Sequence, residues 1–154
     1  MPDITPFLWF DTEADEAARF YVSVFPNSKI NKVMRTNDAV PVQAGDVLTV
    51  DFELDGRAFT ALNGGPAFKF TEAVSFVVHC KDQAEIDRYW KALCSGGGVE
   101  SQCGWLKDKY GLSWQIVPDR LLALMAGPHA KAVTDAMLTM KKLDLATLER
   151  AAMG

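Results

Sequence analysis

The apolar and polar positions of this chain repeat as a unit. Residues 4–27 and 73–96 run in step, 69 residues apart and without a gap. Phe7 falls on Phe76, Glu13 on Asp82, Glu16 on Glu85 and Arg19 on Arg88. Phe20-Tyr21 falls on Tyr89-Trp90, and Val24 on Leu93. Each copy opens with an apolar run too short for a helix, which predicts a buried strand. In the first copy Asp11 or Thr12 is placed to cap the following helix, with Glu13, Asp15 and Glu16 in its first turn, where the helix dipole favours negative charge. Ala14, Ala17, Ala18, Tyr21 and Val24-Phe25 give that helix an apolar stripe, and Pro26-Asn27 ends it.

Residues 28–36 read as a mixed strand and 37–45 as a loop. Over 46–54, Val47, Thr49, Asp51 and Glu53 alternate with Leu48, Val50, Phe52 and Leu54, the pattern of a half-buried strand. Asp55-Gly56 predicts a hairpin turn, with a return strand over 57–63 broken by Gly64-Gly65-Pro66. Residues 67–72 link to the second copy, a strand over 73–80 and a helix over 82–95 stopped by Gly96-Gly97-Gly98. A strand over 99–107, a turn at Lys109-Tyr110-Gly111 and a strand over 112–117 follow, ended by Pro118. Residues 119–154 read as two or three short helices interrupted at Gly127-Pro128. Each half is thus strand–helix–strand–strand–strand, the second being shorter with one strand in doubt. A ferredoxin-like sandwich shares the alternation but lacks the extra strand per half.

Composition narrows the functional classes. The chain of 154 residues suits one compact domain, with a first module over about 3–66, a second over about 72–118 and C-terminal helices over 119–152. A net charge of −4 argues against nucleic acid as a partner. No apolar run approaches the roughly 20 residues that span a bilayer. The opening MPDITPFLWFD has no basic segment of a signal peptide, and the three cysteines form no CxxC pair, so a cytoplasmic location is expected.

Three stretches carry a family likeness: ITPFLWFD with FYVSVFPNSKI, then FTALNGGPAFKFTEAVSFVV, then CGWLKDKYGLSWQIVP. They resemble the PhnB-like branch of the vicinal-oxygen-chelate superfamily, whose better known relatives are glyoxalase I and bleomycin-resistance proteins and whose members are often labelled 3-demethylubiquinone-9 3-methyltransferase. The likeness covers roughly residues 3–150. It implies an α+β glyoxalase/bleomycin-resistance-like fold of paired βαβββ modules with a helical C-terminal tail. It also implies a homodimer and a divalent metal held by four side chains. Transferred residue by residue, the metal positions fall on Pro6, Thr60, Ser75 and Gln115. Proline has no ligating side chain, and Ser and Thr hydroxyls are poor transition-metal ligands. The expectation is therefore a small-molecule-binding protein without a full metal site. A metal-dependent isomerase, lyase or dioxygenase and a sequestering resistance protein are the alternatives. Methyl transfer needs a glycine-rich turn that opens a helix after a first strand, whereas Gly64-Gly65 ends a strand and Gly96-Gly97-Gly98 ends a helix.

The candidate ligand-binding residues are Gln115, His79, Asn63, Ser75, Thr60, Trp9, Trp105 and Phe70. Gln115 and Thr60 follow the hairpin glycines. Gln115 is expected to face the cleft while its neighbour Trp114 packs under a helix. His79 shares a strand face with Ser75 and is a candidate acid or base, or is a histidine satisfied at a strand end. Trp9 and Trp105 line an apolar pocket or pack in the core. Phe68 and Phe70 form a lid or a plain linker. Asn63 presents an amide or ends a turn. Asp51 and Glu53 belong to a cleft or to a wet face. Lys107-Asp108-Lys109 reads as a solvated turn, and Thr134 to Leu148 as an amphipathic segment that contributes to a dimer interface or seals a sheet edge.

Overall fold

The computed structural model describes residues 2–36 and 46–154. The loop expected over 37–45 lies outside the described residues. The chain packs as two compact units, Met1–Lys69 and Phe70–Gly154.

The first unit contains β1 (Phe7–Phe10), α1 (Ala14–Val24), β2 (Lys29–Arg35), β3 (Val47–Leu54) and β4 (Arg57–Asn63), in the sheet order β1-β4-β3-β2. β1 runs parallel to β4, with Phe7 beside Thr60 and Phe10 beside Asn63. The other pairings are antiparallel. The β3–β4 turn is the expected two-residue hairpin. Asp55 (φ 49°) and Gly56 (φ 75°) both take left-handed backbone, which matches the twist of the flanking strands. The stripe of α1 buries Ala14, Ala17, Ala18 and Tyr21, and the sheet buries Leu8, Phe10, Val50, Phe52, Phe59 and Ala61. Tyr21, Phe52 and Phe59 continue this core as stacked rings, 6.3 and 5.4 Å between successive centroids. The edge strand β2 exposes Lys29, Lys32 and Arg35, charges that discourage pairing with another chain.

The start of α1 differs from expectation. Neither Asp11 nor Thr12 caps it. The N-cap is Glu13, whose side chain makes no cap bond to the helix. Asn63, at the far end of β4, supplies the acceptor: its Oδ1 receives the Ala14 N–H at 2.8 Å, while its Nδ2 donates to the Val47 carbonyl at 2.9 Å. The helix start is therefore tied to the strand beside it rather than to its own approach.

The second unit contains β5 (Ser75–Cys80), α2 (Gln83–Cys94), β6 (Val99–Glu100), β7 (Trp105–Lys107), β8 (Ser113–Pro118), α3 (Leu121–Met125), α4 (Ala130–Leu138) and α5 (Leu145–Ala152). Its sheet order, β5-β8-β7-β6, repeats the topology of the first, again with the first and last strands parallel. Here the cap is local. Asp82 Oδ1 accepts the Glu85 N–H, and Glu85 Oε1 accepts the Lys81 N–H. The strand expected over 99–107 is two strands. Residues 101–104 turn between them, with Cys103 (φ 59°) and Gly104 (φ 84°) in left-handed backbone. Their N–H groups donate to the Met140 and Lys141 carbonyls, both at 2.8 Å, so the tail chain replaces ladder bonds at the break. The doubtful strand therefore exists, and both halves have four.

The repeat is also not gapless. Thr60 and Gln115 each stand four residues past a turn glycine, Gly56 and Gly111, and their parallel partners are Phe7 and Val77. Strand counterparts thus lie 70 positions apart, while the buried helix pairs Ala17/Ile86 and Tyr21/Trp90 keep 69. The second unit has one residue fewer between strand and helix. Ser75 consequently corresponds to Thr5, not to Pro6.

Burial bears on two of the sequence expectations. Asp108 is not part of a solvated turn. It is 3% exposed and accepts from the Tyr110 N–H (2.9 Å), the Leu112 N–H (3.1 Å) and Trp114 Nε1 (2.9 Å). The flanking Lys107 and Lys109 concealed it, because a charge run usually marks a solvated face. Likewise, the stripe from Thr134 to Leu148 is used within its own unit. Leu143, Leu148 and Val133 pack with Val117 of β8, and Ala136, Met137 and Met140 close around them. Gln83 fixes this tail by donating to the Leu143 carbonyl and accepting from the Leu145 N–H.

Asp108→Ala leaves three N–H groups around a buried site without their acceptor, at roughly 1–3 kcal/mol for each unsatisfied donor. The variant is expected to lose about 3 kcal/mol or more of stability, read as a lower urea midpoint at unchanged slope. A midpoint close to wild type would show that the carboxylate is not what organises the β7–β8 turn.

Candidate functional site

Side chains alternate along a strand, so each sheet has a helix face and an open face. In the first unit the helix face holds Leu8, Phe10, Phe52, Phe59 and Ala61. The register then places Phe7, Trp9, Asp51 and Thr60 together on the open face. Thr60 Oγ1 donates to Asp51 Oδ1 at 2.9 Å, so this hydroxyl proton is engaged by a half-buried carboxylate. Trp9 is half-buried, donates from Nε1 to the Gly65 carbonyl at 2.9 Å, and meets Phe68 edge-on with 4.9 Å between centroids. A Cβ at Gly64 would lie 2.4 Å from the Trp9 ring, so the indole seats there only because residue 64 is glycine. Phe7 and Phe68 remain 59% and 66% exposed and enlarge this aromatic surface.

In the second unit the helix face holds Phe76, Cys80, Leu106, Trp114 and Ile116 against Ile86, Tyr89, Trp90 and Leu93. The open face carries Ser75, Val77, His79, Trp105, Lys107, Ser113, Gln115 and Val117 by register. The C-terminal helices cover its Val117 end. Gln115 and Trp114 point to opposite sides. Gln115 is half-buried and donates from Nε2 to Ser75 Oγ at 3.0 Å, whereas Trp114 is 3% exposed, beside Phe76. Trp105 is half-buried directly across from Gln115.

The structure thus brings Gln115, Ser75 and Trp105 together on one face, and Thr60 and Trp9 together on another. His79 shares the face of Ser75 but is exposed at the far end of β5, beside Val117. Phe70 is half-buried at the start of the second unit. Asn63 stands apart, because both ends of its amide bind the scaffold at Ala14 and Val47. Two open-face features escaped the sequence reading. One is the Lys107–Glu72 ion pair at 2.6 Å, in which the ammonium holds the Glu72 carboxyl below its ordinary value. The other is Ser113, fully buried, whose Oγ has no partner among the described residues.

Burial pushes the Cys80 thiol up to about 12 and the Cys94 thiol up to about 11, so neither is a thiolate at neutral pH. The donor set also bears on metal. With the corrected register, the inherited positions present Thr5 and Thr60 in the first unit and Ser75 and Gln115 in the second, three hydroxyls and an amide. Asp51, bonded to Thr60, adds a carboxylate in the first unit. Among the described residues no three His, Cys, Asp or Glu side chains gather as ligands. This chemistry does not fit a first-row transition metal, which takes imidazole, thiolate or carboxylate donors.

The family model described as 3-demethylubiquinone-9 3-methyltransferase matches residues 2–117. Among solved structures, the PhnB protein from Bacillus cereus is 34% identical, covering 75% of this chain and 99% of that one, with a TM-score of 0.68. Protein PA1353 from Pseudomonas aeruginosa is 20% identical over 77% of this chain and 98% of its own, with a TM-score of 0.63. The fosfomycin resistance protein FosX from Mesorhizobium loti is 12% identical over 75% and 89%, with a TM-score of 0.52, a likeness of fold alone. No curated protein matches the chain. The repeated βαβββ topology and these matches lead to one conclusion: the chain belongs to the PhnB-like family, described as 3-demethylubiquinone-9 3-methyltransferase, within the vicinal-oxygen-chelate superfamily.

Proposed function

We propose that this protein binds a small, partly aromatic or apolar molecule on its open sheet faces, as a cytoplasmic homodimer. The observation that carries the reading is the Gln115–Ser75 hydrogen bond, 3.0 Å long, on a face that also carries Trp105 and Val77 beside Lys107, His79 and Ser113. A few placed polar groups among apolar ones is the usual make-up of a ligand site. Trp9 and Phe68 offer a second aromatic surface suited to stacking. Any turnover would rest on hydroxyl and amide groups. Methyl transfer is a poor fit, since the turns that open α1 and α2, Asp11-Thr12-Glu13 and Lys81-Asp82, contain no glycine to cradle a cofactor. The metal-dependent alternative is weakened by the donor set. Sequestration, the resistance-type alternative, needs the same binding face and is separated from catalysis only by a turnover assay.

Three measurements test this reading. Gln115→Ala is expected to weaken binding of a ligand found by screening by about 0.5–1.5 kcal/mol, one hydrogen bond, with little change in melting temperature. Trp114→Ala is expected to cost roughly 3–5 kcal/mol of stability. The reverse pattern would mean that the binding face has been assigned to the wrong side of β8. Protein purified without chelator is expected to carry well under one equivalent of zinc, nickel, manganese or iron; stoichiometric metal with chelator-sensitive activity would overturn the metal-free reading. Light scattering at micromolar concentration is expected to give the mass of a dimer. Because Leu143, Leu145 and Leu148 of the Thr134–Leu148 stripe are buried within their unit, substitutions at these three should unfold the unit rather than dissociate the dimer.

A further inference from the structure

Three side chains stand in a row across the open face of the second sheet. Ser113 of β8 lies between its ladder partners Ser75 of β5 and Lys107 of β7. Ser113 is fully buried, and its Oγ has no hydrogen-bond partner among the described residues. A buried hydroxyl left unmatched is rare enough in a folded protein to require a reason. Its neighbours are also only partly used. Ser75 Oγ accepts from Gln115 Nε2, and its own O–H has no acceptor among the described residues. Gln115 keeps its Oε1 and one amide N–H. The site therefore offers three donor hydrogens, from Ser113, Ser75 and Gln115, and as acceptors Gln115 Oε1 and the spare lone pairs of the two serine hydroxyls, within two adjacent rungs of one ladder. Lys107, the one cation in the row, is neutralised by Glu72 at 2.6 Å. Both side chains are partly exposed, so the pair can move as a unit beside Ser113 at little cost while its charges stay matched.

This pattern selects a ligand group. A dianion such as a phosphonate needs net positive charge, which the row lacks. A neutral carboxamide carries an oxygen that accepts two hydrogen bonds next to an N–H that donates one. We propose that Ser113, Ser75 and Gln115 form a subsite for a neutral planar amide of the ligand: a primary carboxamide or a ring amide. The amide oxygen receives the two serine O–H groups, and its N–H donates to Gln115 Oε1. The adjacent Trp105 and Val77 take the apolar part of the molecule. The inference rests on the small-molecule-binding reading above and specifies its ligand class.

The test titrates the full chain with benzamide, benzoate and phenylphosphonate at equal concentrations, following the Gln115 side-chain amide by proton–nitrogen correlation spectra. Benzamide is expected to move that resonance more than either anion. Ser113→Ala is expected to weaken benzamide about 3- to 10-fold, the loss of one hydrogen bond. It should melt at or above wild type, because the lost hydroxyl had no partner. Ser75→Ala should weaken benzamide to a similar degree. Preferential binding of phenylphosphonate or benzoate at Gln115 would overturn the amide assignment. A Ser113→Ala variant that melts well below wild type, or fails to fold, would show that the hydroxyl is structural and would also overturn it. Shifts confined to residues away from Gln115 would overturn this subsite while leaving the binding reading intact. Failure of every compound in a broad screen would overturn both.

Discussion

Within each unit, the parallel pairing of the first strand with the last sets everything else. A parallel return requires a crossover, and the helix that provides it must lie on one face of the sheet. The other face is then left for function. Because side chains alternate, the same pairing decides which residues reach which face. A slip of one residue along β8 would turn Gln115 under α2 and Trp114 outward. It would also strip Asp108 of the Trp114 indole N–H that it holds at 2.9 Å. The scaffold therefore protects the register of the candidate site through contacts made on the opposite side of the sheet.

The two units reach one topology through different local chemistry. α2 carries its own cap in Asp82 and Glu85, so its start is fixed by neighbouring residues. α1 depends on Asn63, 49 positions away, and forms its cap only when β1 has met β4. The hairpins are reversed in this respect. β3 and β4 are joined by two residues whose backbone preference alone sets the turn. β7 and β8 are joined by a longer turn wound around the buried Asp108 carboxylate. Each unit thus has one element specified locally and one that needs tertiary contacts to close.

That division explains what could be read from the sequence. The β3–β4 hairpin was legible because strict alternation met an Asp-Gly pair. The helices were legible because their stripes are long enough to show a period. The strand offset was misread because the longer helices dominated the comparison, hiding a single missing residue in the second unit's strand-to-helix turn. The break at 101–104 was missed because Cys103 adopts a left-handed backbone that its residue type does not announce. Asp108 looked solvated between two lysines. At the candidate site, Gln115 was singled out through the family resemblance, which puts a site position a few residues past Gly111, and its expected parity against Trp114 agrees with the observed faces. Ser113 could not be found, since an isolated serine in a strand carries no pattern and its meaning lies in being buried without a partner. Asn63 looked available at a strand end, and only its two bonds show otherwise.

With the register corrected, the duplicated units can be compared face by face. On the helix side, counterparts are nearly all apolar: Leu8 with Val78, Phe52 with Leu106, Phe59 with Trp114 and Ala61 with Ile116. Size changes there, but chemical class does not, as expected where a polar group would be buried without compensation. On the open side, most counterparts change class. Trp9 stands opposite His79, Asp51 opposite Trp105, Thr60 opposite Gln115 and Ala58 opposite Ser113. Packing holds one face of each sheet to a narrow range of residues and leaves the other free to vary. The hydroxyl–carboxylate pair of the first unit and the hydroxyl–amide pair of the second are therefore features that the fold does not require. Any ligand of theirs is to be sought in their own donor and acceptor geometry, rather than in the topology that the two units share.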